Sequence, residues 1–157
     1  MTHEGIAVDL PGRGQVVLTT LALDFTGTLA KDGALLPGVA EAFVALAARL
    51  RIVVLTADTF GTAAKALEGL PVEVRIVATG AEKAEYLRSL KLQDVVAVGN
   101  GRNDVEMLRA AGLAIAVVGP EGAAGALLRV ADVVVRDVHD ALDLLVYPLR
   151  LKATLRD

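Results

Sequence analysis

At 157 residues the chain is long enough for one domain with a substantial core. It is 54% hydrophobic but only 3% aromatic, so that core has to be built from Val, Leu, Ile and Ala. A formal charge of −3 gives no basic footprint for nucleic acid, and the absence of cysteine excludes disulfides, thiol chemistry and Cys-ligated zinc. Charged or turn residues break every apolar run short of the ~18 residues a membrane helix needs. The first residues lack a basic-then-apolar leader pattern. The expectation is a soluble cytoplasmic protein without nucleic-acid or membrane partners. His3 and His139 lie far apart in sequence and read as surface residues.

In chain order, residues 6–10 and 15–18 are β-like and flank Pro11-Gly12-Arg13-Gly14, a hairpin signal that places the first strand beside the one ending at Asp24. The stretch Leu21-Ala22-Leu23-Asp24-Phe25-Thr26-Gly27-Thr28-Leu29 is an apolar strand that delivers a carboxylate to its C-terminal end and then breaks at a glycine. Lys31-Asp32-Gly33 is a second turn signal and predicts a short flap near the mouth. Pro37 is expected to open a helix as its first residue, with Val39, Phe43, Leu46, Ala47 and Leu50 as its apolar stripe. Residues 51–55 form a continuous apolar strand, as a parallel strand covered on both faces requires. It runs into Thr56-Ala57-Asp58-Thr59. A helix over 60–67 is expected to stop at Gly69 and Pro71.

The pattern continues with a strand over 72–78, a helix over 81–90, a strand over 94–98 and a helix over 104–111. Then follow a strand over 113–118, a helix from Pro120 to about Val130, a strand over 133–135 and a helical tail from Asp137. Such alternation predicts a doubly wound α/β fold: three α/β/α layers around a mostly parallel sheet. The expected organisation is a single unit over 1–157, with a hairpin extension over 1–18, a core over 19–136 and a tail over 137–157.

In such sheets ligands bind outside the carboxyl ends of the strands. Three loops there carry chemistry: Asp24 to Thr28, Thr56 to Asp58, and Gly99-Asn100-Gly101-Arg102-Asn103-Asp104. Lys83 joins them from the first turn of its helix, where the dipole disfavours a cation by about 0.3–1 kcal/mol unless an anion compensates. Each feature has a plain alternative. Thr56 can simply end a strand, Asp58 or Thr59 can cap a helix, and Asn103 and Asp104 can do the same. Gly99 and Gly101 can serve a tight turn. Their joint occurrence at mouth positions, in order, favours an anion-binding site.

This ordered set resembles the haloacid dehalogenase (HAD) superfamily, and within it the phosphorylation domain of P-type ATPases and their free-standing soluble relatives. Asp24-Phe25-Thr26-Gly27-Thr28-Leu29 matches the first motif, Leu55-Thr56-Ala57-Asp58 the second, Lys83 the third and Gly99 to Asp104 the fourth. The resemblance covers roughly residues 15–136. It implies a HAD-like Rossmannoid fold and a Mg²⁺-dependent phosphatase working through an aspartyl-phosphate on Asp24. It also implies catalytic roles for Asp24, Thr26 and Lys83, and phosphate binding by Phe25, Gly27, Thr28, Thr56, Ala57, Lys83 and Asn103. The metal site it implies is Asp24, the Thr26 carbonyl, Asn100 and Asp104. Phe25, Phe60 and Arg102 are candidates to touch a leaving group.

Two departures from the family pattern stand out. The second Asp usual in phosphatases is Thr26 here, which predicts slow turnover because general acid–base help is worth about 10²–10⁴-fold. Asn100 stands where the fourth motif usually has Asp, which removes a charge from the metal site; Asp104 is the group that could compensate. The intervals from Asp24 to Thr56 and from Thr56 to Lys83 are too short for a cap, so a capless member is expected. A neighbouring subunit roofing the mouth through the N-terminal hairpin is the corresponding homo-oligomer expectation. The alternative reading is a phospho-accepting or phosphate-binding regulatory module without turnover.

Overall fold

The structure, a computed structural model, describes residues 3–58 and 61–157. The expectations placed on Thr59 and Phe60 therefore lie outside the described residues.

An antiparallel hairpin, β1 (Ile6–Leu10) with β2 (Gly14–Leu18), opens the chain. After Thr19 comes β3 (Thr20–Leu23), followed by a small flap of β4 (Ala30–Lys31) and β5 (Ala34–Leu35). Then come α1 (Val39–Leu46), β6 (Arg51–Thr56), α2 (Thr62–Ala66), β7 (Glu73–Ile76) and α3 (Gly80–Arg88). The second half holds β8 (Val95–Gly99), α4 (Val105–Ala110), β9 (Leu113–Val117) and β10 (Val133–Val135). It ends in α5 (Val138–Val146) and α6 (Leu149–Leu155).

Six strands form one parallel sheet in the order β10-β9-β8-β3-β6-β7. The topological switch falls at β3, where chain order reverses between β8 and β6, and this is where doubly wound sheets open their ligand crevice. Alternate strand residues feed two cores. Leu21, Leu23, Ile52, Val54, Val96 and Val98 pack on one face with Phe43 of α1 and Leu142 of α5. Ala22, Val53, Leu55 and Ala97 pack on the other with Leu87 of α3 and Leu108 of α4. Burial on both faces explains the unbroken apolar runs.

The α/β fold and its three layers stand as expected, and three local expectations do not. The hairpin is a separate two-stranded sheet and pairs with no strand of the main one. It joins β3 at the amino end, where the Thr19 N–H donates to the Asp94 carbonyl and the Arg51 N–H to the Thr19 carbonyl. It is therefore remote from the carboxyl ends where the site lies, and Asp9 pairs instead with Lys152 of α6 at 3.1 Å. Pro37 does not start α1, because Gly38 takes a left-handed φ of 85° and the helix begins after it. Pro120 opens no helix either. The Gly122 N–H donates to the Gly119 carbonyl at 3.0 Å, so Gly119-Pro120-Glu121-Gly122 is a tight turn, and only a 3-10 segment, Gly125–Arg129, follows. Proline second and glycine fourth suit that turn better than a helix start.

Candidate active site

Asp24 follows the last paired residue of β3, and its N–H donates to the Val98 carbonyl of β8. The chain then doubles back, with the Phe25 carbonyl accepting from the N–H groups of Thr28, Leu29 and Ala30. That tight turn leaves Thr26 exposed at the cleft; neither its carbonyl nor its N–H has a partner among the described residues. Gly27 carries φ 78°, and a Cβ there would collide with the Asn100 amide, so glycine is required where the two loops meet.

Lys83 arrives from α3. Thr79 caps that helix by accepting from the Glu82 N–H at 3.2 Å, and Glu82 reaches back to the Ala78 N–H at 2.8 Å. This reciprocal arrangement resembles a capping box and fixes the phase of the first turn. The ammonium is 1% exposed and lies 2.8 Å from both Asp24 Oδ1 and Asp104 Oδ1. The two carboxylates are the anions that offset the helix dipole. Burial pulls the Lys83 ammonium down, but Asp24 and Asp104 outweigh it and hold its pKa above the ordinary value. Asp24 itself is pushed up to about 6, first by burial and then by Asp104, against the opposing pull of Lys83 and Thr28.

Asp104 corrects one expectation. It is fully buried, with Oδ1 on Lys83 and Oδ2 accepting from the N–H groups of Asn100 (3.2 Å) and Gly101 (3.0 Å). Bonded through both oxygens and absent from the residues that line the cleft, it positions Lys83 and the fourth loop. Gly99 makes room for it, since a Cβ there would stand 2.6 Å from Asp104 Cγ.

Thr28 is also fully buried and does not face the cleft. Its hydroxyl lies 3.2 Å from Asp24 Oδ2 and 3.1 Å from Asn100 Oδ1, tying the first loop to the fourth. Asn100 donates through Nδ2 to the Gly122 carbonyl at 3.1 Å, which leaves its amide oxygen against the Thr28 hydroxyl. A hard divalent cation takes oxygen ligands. Asp24 Oδ2, Asn100 Oδ1 and the unpartnered Thr26 carbonyl fit that demand with a single carboxylate. Among the described residues no group of three or more His, Cys, Asp or Glu gathers as a richer alternative.

These groups open into a cleft of about 630 Å³. Asp24, Thr26, Thr56, Ala57, Asn100 and Asn103 line it, bringing together residues of three of the expected loops. The Thr56 hydroxyl oxygen accepts from the Asp58 N–H at 3.1 Å. Asp58 caps α2, accepting from the N–H groups of Ala63 (2.7 Å) and Ala64 (3.3 Å). Two expectations fail here. The Phe25 side chain is buried in the core and cannot touch a ligand, leaving only its N–H, which has no partner among the described residues. Arg102 is exposed and outside the lining.

Thr62 and Glu121, which sequence reasoning does not mark, line the cleft, as do Asp32 and Gly33 of the expected flap. Asp32 and Gly33 form the two-residue flap turn with φ 52° and 82°, the left-handed pair that Asp-Gly hairpins favour. Glu121 falls where a helix from Pro120 is expected, and no sequence signal marks it as a cleft residue.

The comparisons with known proteins bear on the fold and the family. The family model described as haloacid dehalogenase-like hydrolase matches residues 55–141, more than half of the chain, starting downstream of Asp24. An uncharacterized protein of Methanocaldococcus jannaschii is 46% identical over 79 residues, 48% of this chain and 85% of that protein. Among solved structures, the cobalt-bound deoxy-D-mannose-octulosonate 8-phosphate phosphatase of Haemophilus influenzae superposes with a TM-score of 0.69 at 12% identity. It covers 87% of this chain and 90% of that one. A phospho-aspartyl intermediate analogue of phosphoserine phosphatase gives 0.67 at 18% identity, covering 82% and 99%. At such identities these structures establish the fold, and the family match carries the rest. The chain belongs to the haloacid dehalogenase-like hydrolases.

Proposed function

We propose that the protein is a Mg²⁺-dependent phosphohydrolase in which Asp24 is the nucleophile. The observation that carries this is the convergence on one carboxylate. Asp24 has Lys83 on Oδ1, the Thr28–Asn100 link on Oδ2, and the cleft with Thr56 in front of it. The phospho-aspartyl analogue and the magnesium-, phosphate- and KDO-bound 3-deoxy-D-manno-octulosonate 8-phosphate phosphatase of Moraxella catarrhalis support the same chemistry by likeness of fold.

Phosphoryl transfer is mostly positioning and neutralisation of charge on the transferring oxygens. The N–H groups of Phe25 and Thr26, without partners among the described residues, and the Thr56 hydroxyl would receive those oxygens, while Lys83, which is absent from the cleft lining, offsets the charge of Asp24 from beneath. Asp24, the Thr26 carbonyl and Asn100 would hold Mg²⁺, which when bound lowers the repulsion between nucleophile and phosphate. Asp24 attacks phosphorus, the P–O bond to the alcohol breaks, and the leaving alkoxide takes its proton from water. A second water then cleaves the aspartyl-phosphate, releasing inorganic phosphate and restoring the carboxylate. Since Thr26 can neither give nor take a proton as a carboxyl would, turnover is slow.

Among the described residues, the intervals on either side of Thr56 hold the flap, α1, β6, α2 and β7 and no further element before α3, which supports a capless, P-type ATPase-like member. The test is Mg²⁺-dependent phosphate release from an aryl phosphate. It should disappear in Asp24→Asn, and equal activity in that variant removes Asp24 from the mechanism. Strong stabilisation by beryllofluoride with Mg²⁺ but no repeated turnover would instead favour the regulatory module, the reading that Thr26 and the single-carboxylate cation site also fit.

A further inference from the structure

The charge on the rim of the cleft bears on what leaves after phosphate is taken. The cleft is lined by the carboxylates Asp24, Asp32, Asp58 and Glu121, and by no Lys or Arg among the described residues. Asp24 is the floor, paired with Lys83, and the Asp58 carboxylate is bonded to the first N–H groups of α2. Asp32 and Glu121 are different. Neither has an ion-pair partner among the described residues.

They are nevertheless held together. The Asp32 N–H at the flap tip donates to Glu121 Oε2 at 3.1 Å, joining the flap to the turn that orients Asn100 through Gly122. The two like-charged residues are therefore neighbours on the rim and line the same space. The nearby basic residues do not offset them: Lys31 and Arg102 are exposed and outside the lining, and Lys83 is sealed beneath Asp24. A phosphoryl group bound at Asp24 would have the space lined by these residues open to its alcohol.

We propose that Asp32 and Glu121 set leaving-group specificity, so that phosphomonoesters of amine-bearing alcohols are preferred over neutral ones, and neutral ones over those of acids. This rests on the phosphohydrolase reading. The flap and the turn after β9 act as a charge filter, attracting an ammonium and repelling a carboxylate or a second phosphate.

The experiment compares kcat/KM for 2-aminoethyl phosphate, ethyl phosphate and carboxymethyl phosphate with Mg²⁺ at low salt. The aminoethyl ester should exceed the carboxymethyl ester by about tenfold or more, as two charges at roughly 6–8 Å through water predict. The ratio should shrink at high salt. It should fall toward one in Asp32→Asn/Glu121→Gln, with each single variant between. Equal rates for the two charged esters in the unaltered protein, or a ratio the double variant does not change, overturn the filter while leaving the phosphohydrolase intact. Should the double variant not fold, the single variants and the salt dependence decide. No Asp24-dependent hydrolysis of any of the three esters overturns both readings.

Discussion

Lys83 and Asp104 form a buried pair, 2.8 Å from ammonium to carboxylate, and the same ammonium stands 2.8 Å from Asp24. One cation thus serves two carboxylates in a space with almost no solvent. Its removal leaves both uncompensated, and breaking a buried pair from one side costs about 3–5 kcal/mol. Lys83→Met should therefore unfold at clearly lower urea concentration and also lose phosphate release. Denaturant melts at pH 7 check the first effect. An unshifted midpoint would mean the ion pair contributes nothing to the fold.

Asp24 gives a pH signature to the metal-free protein. Its folded value of about 6 lies above the ordinary 3.8, so the folded state holds that proton more tightly than the unfolded chain. The associated stability is fully present below about pH 4 and is lost as pH rises through about 6. In EDTA, Asp24→Asn should therefore melt about 3–6 °C above the parent at pH 7.5, with the gap closing toward pH 4. Mg²⁺ should raise the melting temperature of the parent and not of the variant. Parallel melting curves across that range would contradict the burial argument.

Two substitutions toward the common phosphatase pattern separate turnover from metal binding. Thr26→Asp places a carboxyl at the exposed position beside Asp24 and should raise kcat by about tenfold or more, within the range general acid–base help provides. Asn100→Asp adds a charge to the cation site and should lower the Mg²⁺ concentration for half-maximal activity by about tenfold. The same change removes the Nδ2 bond to the Gly122 carbonyl, so a stability loss of about 1 kcal/mol should accompany it. Metal titrations of steady-state rates distinguish the two. An unchanged kcat in Thr26→Asp would show that proton transfer does not limit turnover.

Phe43 of α1 tests the core apart from the chemistry. Its ring is fully buried against the face of the sheet that carries Leu21 and Leu23. Phe43→Ala should cost about 3–5 kcal/mol, transfer and cavity together. Activity per folded molecule should be retained below the melting transition. A matching loss of kcat in fully folded protein would reveal coupling from α1 to the site.

Much of this was written in local sequence. The continuous apolar strands, their alternation with helices and the Asp-Gly flap follow from patterns a few residues long, because burial on both faces and left-handed turns impose them locally. The errors were also local in origin. Pro37 and Pro120 were read as helix starts because proline tolerates that position, yet Gly38 and the Gly119–Gly122 turn chose other conformations.

The sequence by itself determined which residue types reach the mouth: a carboxylate after β3, a hydroxyl on the last residue of β6, a lysine in the first turn of α3 and an amide after β8. Only the tertiary structure decided how they divide the work. That Asp104 bonds Lys83, that the Thr28 hydroxyl lies between Asp24 and Asn100, and that the Asp32 N–H meets Glu121 all depend on which loops the sheet order makes neighbours. Hydrogen bonds act over about 3 Å, whereas their partners here stand as many as 89 residues apart along the chain.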